Sequence, residues 1–373
     1  MKRYLPLAIL ALLGLGLAAA PASAATVVVN TTADQSLGSC SSSCSLRDAV
    51  ATANSGDTIQ IPAGHYVLTL GDIISETSLT IVGAGARSTV LDGNGASRIF
   101  VFAFGTTVEL DDLSLIHGLA ATPLFFFGFS GGALAGGATA TLRRCRLAGN
   151  QAEEGGAIFW ANGSLTLDQC TITGNLATSE FPGLGAGGGI FAFGNLVTIT
   201  NSTLTGNTAS VGQGGGAVFL GSVNLVNVTV TANQAPSGGG LAKVDGSIAN
   251  TIVAANPGGD CVDVATLASD HNLDSDNSCG FTDAGSHPGV PPLLGPLANN
   301  GGPTDTHALQ AGSPALNAGN NATCLPTDQR GITRPQGPAC DIGAFEAPAT
   351  PQDQIASLIA QINALVTGGT LAQ

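Results

Sequence analysis

Side chains able to move protons are few in this sequence, and most of them stand between short repeated segments. Glycoside hydrolysis needs two carboxylates roughly 5 to 10 Å apart. The available acids are Asp111 with Asp112, Glu153 with Glu154, Asp168 and Glu180. Abstracting a proton beside a carboxylate needs a base, and cations to neutralise the substrate. For that chemistry the central region offers Lys243, Arg143, Arg144 and Arg146, with no Tyr or His between His117 and His271. Asp168 and Lys243 are the weak catalytic candidates, and the balance favours solvated charges on loops and strand exteriors over an active centre.

Metal chemistry has one weak candidate. In "DHNLDSDNSCG" the carboxylates Asp270, Asp274 and Asp276 are spaced like the oxygen ligands of a calcium loop, but the downstream bidentate Glu of an EF-hand is missing. A turn pinned by a Cys261 to Cys279 disulfide is the plainer reading, and no other cofactor is implied. His307 in "GPTDTHAL" is expected to make a structural hydrogen bond.

The eight cysteines, Cys40, Cys44, Cys145, Cys170, Cys261, Cys279, Cys324 and Cys340, fall into local pairs with no CxxC among them. That arrangement favours disulfides over zinc. Cys145 and Cys170 occupy the same place in consecutive repeats, which predicts a disulfide across neighbouring coils or, as the alternative, a stack of two free thiols.

Recognition is the other chemistry to weigh. Phe159, Phe191 and Phe219 each follow an aliphatic residue, Ile158, Ile190 and Val218. Strand alternation then predicts an outward aromatic ladder, which Trp160 and Phe193 would extend. Exposed rings stack on sugars or on a partner protein. The favoured reading is a second apolar layer, with the loop from Leu176 to Ala186 or the segment "LFFFGF" (Leu124 to Phe129) folded over it.

These residues must be positioned by the repeat itself. "TLRRCRLAGN", "TLDQCTITGN", "TITNSTLTGN", "LVNVTVTAN" and "SIANTIVAAN" end at Asn150, Asn175, Asn207, Asn233 and Asn256, at spacings of 25, 32, 26 and 23 residues. Aliphatic residues recur eight and three places before each Asn. Five residues between two inward positions is an odd interval, so one straight strand cannot hold both. A bend is expected at the column Arg144, Gln169, Asn201, Asn227 and Asn250. A third strand follows each glycine cluster, with Leu134, Ile158, Ile190, Val218 and Leu241 as its inward column. Three strands per coil of about 25 residues predict an all-β, right-handed parallel β-helix.

Composition agrees with a chain working outside the cell. Charged residues make up only 10%, Lys243 is the sole lysine beyond Lys2, and the formal net charge is −14. Such a surface repels nucleic acid and anionic lipid. Lys2 and Arg3, the apolar run from Leu5 to Ala20 and Ala22-Ser23-Ala24 read as a secretory signal peptide over 1–24, and no transmembrane helix is expected in the mature chain.

Two segments resemble known families. "CSLRDA" (Cys44 to Ala49), within a segment reaching about residue 100, resembles the CSLREA domain at the front of secreted bacterial β-helix proteins, with Asp in place of Glu. "PLLGPLANNGGPTDTHALQAGSPALNAGNNATCLPTDQRGITRPQGPACDIGAFE" is similar to the choice-of-anchor Q domain, which ends such β-helices before a wall or membrane anchor. Neither domain is known for catalysis. The expected organisation is a cap with first coils over 25–105, repeats over 106–257, a C-terminal cap over 258–346 and a tail over 347–373.

Solenoid ends need such caps. Leu46, Ala49, Val50 and Ala53 predict a short helix over the first coil. Cys324 and Cys340 predict a crosslinked C-terminal cap. No LPxTG-like signal follows Glu346; instead Ile355, Leu358, Ile359, Ile362, Leu365 and Val366 predict an amphipathic helix that packs on the protein or on a further segment.

The leading functional expectation is a non-catalytic, secreted or cell-surface scaffold of adhesin type, presenting loops and the aromatic ladder to a glycan or an envelope protein. The alternative is a carbohydrate-active enzyme, a pectate-lyase-like polysaccharide lyase or a glycoside hydrolase, acting on the outer face of the coils.

Overall fold

The computed structural model describes residues 24–123, 128, 130–178, 186–194, 196–265 and 267–367. Most of the signal peptide expected over 1–24, the acid Glu180 and most of the two segments expected to cover the aromatic ladder lie outside them.

Among the described residues, three parallel sheets of ten, nine and eight strands form the walls of a solenoid, each coil hydrogen-bonded to the next. One coil of the first sheet runs Thr139–Arg143, turns, and enters the second sheet at Arg146–Ala148. A short segment and a glycine cluster then lead to the third sheet at Ile158–Ala161. The wall is continuous because identical positions stack. Leu110, Leu142, Leu167, Ile199 and Leu225 are in register, and all are at most 1% exposed. Each such side chain contributes about 1.5–3 kcal/mol by leaving water.

The bend falls on the expected column. Asp112, Arg144, Gln169, Asn201, Asn227, Asn250 and His271 all have φ between +44° and +61°, the left-handed region in which Asn is at home. Two positions earlier and three later the side chains point inward, which is how the odd interval of five is absorbed.

The terminal Asn of each repeat builds a buried ladder. Asn150, Asn175, Asn207 and Asn233 each donate both the backbone N–H and Nδ2 to the Oδ1 of the next Asn, at 2.8–3.1 Å. The second Nδ2 hydrogen goes to a carbonyl one coil back, such as Ile172 O from Asn207. Asp260 takes the last place, accepting from Asn256 N and Nδ2.

In the third sheet the inward column differs from the expected one by a residue. Ile158, Ile190, Ala217 and Leu241 are in register, so Val218 pairs with Phe191 and Phe219 with Ala192. The three glycines Gly214, Gly215 and Gly216 fix the entry of this strand as Gly187, Gly188 and Gly189 fix the one before. Aligning on aliphatic size put Val218 inside, whereas the glycines put Ala217 there.

At the N-terminal end, α1 (Leu46–Thr52) is capped by Ser45 Oγ, which accepts from Asp48 N at 3.1 Å. It buries Leu46, Ala49, Val50 and Ala53 over the first coils. Asp48, which stands where the resembling family has Glu, is 1% exposed and accepts from Leu37 N, Gly38 N and Ser45 Oγ. Burial pushes this carboxyl up, but those hydrogen bonds outweigh it and hold it below its ordinary range.

The C-terminal segment does more than close an end. The last coil is plugged by the Cys261–Cys279 disulfide and by Phe281, both inside the main core. From Leu294 to Glu346 the chain then lies along the outer face of the second sheet. Thr171 Oγ1 donates to Asp305 O, Thr203 Oγ1 to Gln329 Oε1, and Ala344 N to Thr229 Oγ1. Arg87 pairs with Asp305 at 2.8 Å. Where the outer row turns apolar, at Ile252 and Ala254, the lobe answers with Ala315 and Ile342.

Cys324–Cys340 crosslinks the lobe and Cys40–Cys44 the N-terminal cap. The tail helix α2 (Pro351–Thr367) leaves its apolar stripe in solvent, so it does not pack on the described residues of this chain, the first of its two expected placements.

Candidate functional site

The outer surface decides what this solenoid can touch, and much of two of its three faces is covered. Over the later coils of the second sheet lies the C-terminal lobe. Over the third sheet lies an outer apolar layer of Val101, Ala135, Phe159, Ala161, Phe191, Val218 and Ala242, all buried. Phe159 and Phe191 stack at 5.6 Å with parallel planes, and half-buried Phe193 meets them edge-on.

The open aromatic ladder is therefore corrected. Phe159 and Phe191 are 5% and 4% exposed. Trp160 and Phe219 point into the main core, where Trp160 Nε1 donates to Ala138 O at 3.0 Å. The opposing Gly136 makes room for Trp160, whose ring would lie 2.7 Å from any Cβ there.

The catalytic pair does not assemble either. Asp168 lies on the outer row of the first sheet and accepts from Thr200 Oγ1 at 2.8 Å. Lys243 sits at a corner with φ +56° and pairs with Asp263 at 3.0 Å. Each is committed to a different partner on a different part of the coil.

The three candidate calcium ligands do not form one ligand group among the described residues. Asp270 accepts from Thr323 and Asn320, Asp274 from Cys279 N, and Asp276 from Ser278 and Asp260 N. The structure instead groups Asp270 with His271 and Asp283, one ligand atom of each lying within 4.8 Å of the others. Asp283 is already held by Ser269, Ser286, His271 N and Gly285 N, which describes a pinned turn. His307 makes the expected structural bonds, to Gly295 O and Thr205 Oγ1.

The expected Cys145–Cys170 disulfide is not formed: both are free thiols, the alternative arrangement, fully buried in one inward row with Ser202. They donate to Leu110 O and Leu142 O respectively. Burial, and then the adjacent Cys170, push the Cys145 thiol well up. These are inert core thiols.

A group not singled out from the sequence does converge. Asp92 ends the second-sheet strand Thr89–Asp92. Its Oδ2 meets His65 Nε2 at 2.8 Å, its Oδ1 meets His117 Nδ1 at 3.2 Å, and Oδ1 also accepts from Asn94 N. Burial pushes the Asp92 carboxyl up, but the bonds from Asn94 and His65 and the charge of His117 outweigh it and leave it below its ordinary range. The two imidazoles are 57% and 59% exposed, so both keep a ring edge toward solvent.

Two hollows adjoin here. One of about 420 Å³ is lined by Asp92, Asn94, His117, Leu119 and Gln151. The other, of about 430 Å³, is lined by His117, Arg146, Ala148 and Thr173, and the two share His117 and Gly149. Arg146 emerges between buried neighbours, Ser114 beneath Ala86 and Thr171 beneath Asp305. Every other Arg and Lys among the described residues has an acidic partner. Arg146 alone has none, and it is the cation of this groove.

The sequence carried one signal of the groove. His117 stands where later coils have Gly149, Gly174 and Gly206, all with positive φ, and it adopts φ +49° itself. Holding a non-glycine residue there costs roughly 1–2 kcal/mol, a strain that marks functional positions.

A family model described as "Right handed beta helix region" matches residues 114–257. The fold of the chain is a right-handed parallel β-helix. No curated protein matches the sequence significantly. Among solved structures, pectate lyase Pel9A is similar at 16% identity with a TM-score of 0.44, over 86% of this chain and 96% of that one. The alginate lyase AlyGC of family PL6 shows 10% identity and a TM-score of 0.18, over 87% of this chain and 59% of that one. Function on such folds rests on the site and not on the scaffold.

Proposed function

We propose that this protein is an extracellular, non-catalytic β-helix scaffold that holds an acidic glycan in the groove at His117 and Arg146. The observation that carries the reading is Arg146, the one unpaired cation among the described residues of an acidic chain, set beside the half-exposed imidazole of His117. A guanidinium with no protein partner suits a uronate carboxylate, and the imidazole edges suit hydroxyl groups. Three disulfides and the signal-like start support work outside the cell. The resemblance of the C-terminal lobe to an anchoring domain supports a place at the cell surface.

The acids argue against hydrolysis. Asp92 is the only carboxylate among the described residues lining either hollow, and it is held ionised between two histidines. Hydrolysis would need a second carboxylate across the groove.

The test is titration of the chain with oligogalacturonate and with a neutral galactan of equal length. Arg146→Ala should weaken oligogalacturonate binding at least about tenfold, the worth of one charge-assisted contact, with no change in melting temperature. Equal affinity for the neutral glycan, or full retention by Arg146→Ala, would overturn the reading. So would ultraviolet-absorbing unsaturated products that disappear in His117→Ala, because the groove would then be catalytic.

A further inference from the structure

Helix α2 is an apolar surface that nothing among the described residues covers. Ile355, Leu358, Ile359, Ile362, Leu365 and Val366 are 47–58% exposed. We propose that this stripe is a self-association surface, a parallel, in-register pairing of α2 with the α2 of a second copy of the chain.

The spacing favours a second copy. Ile355, Leu358, Ile362 and Leu365 follow one another by three, four and three residues, the spacing of the a and d positions of a two-heptad coiled-coil seam. The side-chain types alternate as the geometry asks. β-branched Ile stands at the first core position of each heptad and Leu at the fourth, the combination that favours two parallel strands. Ile359 and Val366 widen the seam on one side.

Charge points the same way. Asp353 is the only ionisable residue of the helix, which has no Lys or Arg. It therefore lacks the cations that bring an amphipathic helix to anionic lipid.

The area is sufficient for a modest dimer. Burying about 80 Å² from each of six aliphatic side chains on both helices removes roughly 1,000 Å² from water, near the lower bound of a specific interface. A helix of 17 residues is marginal alone in water, so pairing also supplies the burial that keeps it folded.

Sedimentation velocity on the chain from Ala25 to Gln373 tests the proposal. The expected result is a monomer–dimer equilibrium in the micromolar range, weakened at least about tenfold by L358D with I362D. The β-helix melting temperature should not move, because α2 stands outside its core. Identical seam positions meet only in parallel pairing, so L365C should form a disulfide-linked dimer under mild oxidation while N363C does not. A chain that stays monomeric throughout overturns the proposal, as does a dimer insensitive to the double variant. A monomer that co-sediments with phosphatidylcholine vesicles overturns it in favour of a lipid surface.

Discussion

The buried Asn ladder should be the most sensitive polar feature of the molecule, and Asn207 is the position at which to test it. Its Oδ1 accepts from Asn175 N at 3.1 Å and from Asn175 Nδ2 at 2.8 Å. Its Nδ2 donates to Ile172 O at 2.9 Å and to Asn233 Oδ1 at 2.8 Å. Asn207→Ala deletes all four bonds. Ile172 O loses a donor, and Asn233 Oδ1 keeps one from the backbone of residue 207. The costly losses are the Asn175 N–H and one Asn175 Nδ2 hydrogen, two buried donors left with no acceptor.

Each orphaned donor costs about 1–3 kcal/mol, so the substitution should remove about 2–6 kcal/mol, a large share of a domain's usual stability. Urea denaturation followed by circular dichroism measures it, as a lowered midpoint with an unchanged slope. Asn224→Ala is the control. Asn224 sits on the outer face, where its Oδ1 accepts only from Ser247 Oγ, and its loss should cost under about 1 kcal/mol. If Asn207→Ala costs no more than Asn224→Ala, the ladder is not what holds the coils in register.

The C-terminal lobe should carry an inverted pH signature at Asp341. Burial and then the Glu346 charge raise its pKa to about 7. A raised folded-state pKa means a contribution that is full below the unfolded value and lost as pH rises through the folded one. Asp341→Asn should therefore gain on the wild type, by on the order of 1–3 kcal/mol, as thermal melts move from pH 4 to pH 8; a constant difference would refute this. Phe191→Ala should cost about 3–5 kcal/mol by opening the outer apolar layer while leaving oligogalacturonate affinity unchanged, and a loss of affinity without a loss of stability would restore the aromatic surface as a binding site. Alkylation should label neither Cys145 nor Cys170 in the native chain and both after unfolding without reductant, so the absence of adducts in the unfolded chain would show a disulfide.

What was legible in the sequence is what each coil shares with its neighbours. A column such as Leu142, Leu167, Ile199 and Leu225 is readable because each member packs on the one below it, so the packing constraint repeats with the coil. The Asn-rich bend and the inward place of Cys145 and Cys170 were readable for the same reason. Reading failed where one constraint imitated another. Val218 looked like the inward residue because it is aliphatic, yet the glycine triplet ahead of it sets the register and leaves Ala217 inside. The path of the C-terminal lobe was hidden as well. Its partners Thr171, Thr203 and Thr229 look in sequence like any outer row, and only the chain returning over them makes them core.

The groove is a different case, because a site is a departure from the repeat and periodicity averages departures away. His117 becomes visible only when its coil is compared with the others, where its place holds Gly149, Gly174 and Gly206. Departure alone does not make a site. Ala232 and Ala255 also hold positive φ in that column, at +55° and +58°, and bring no chemistry. The strain at His117 is informative because the side chain bearing it can titrate, reaches Asp92, and borders the one cation among the described residues that the fold leaves unpaired.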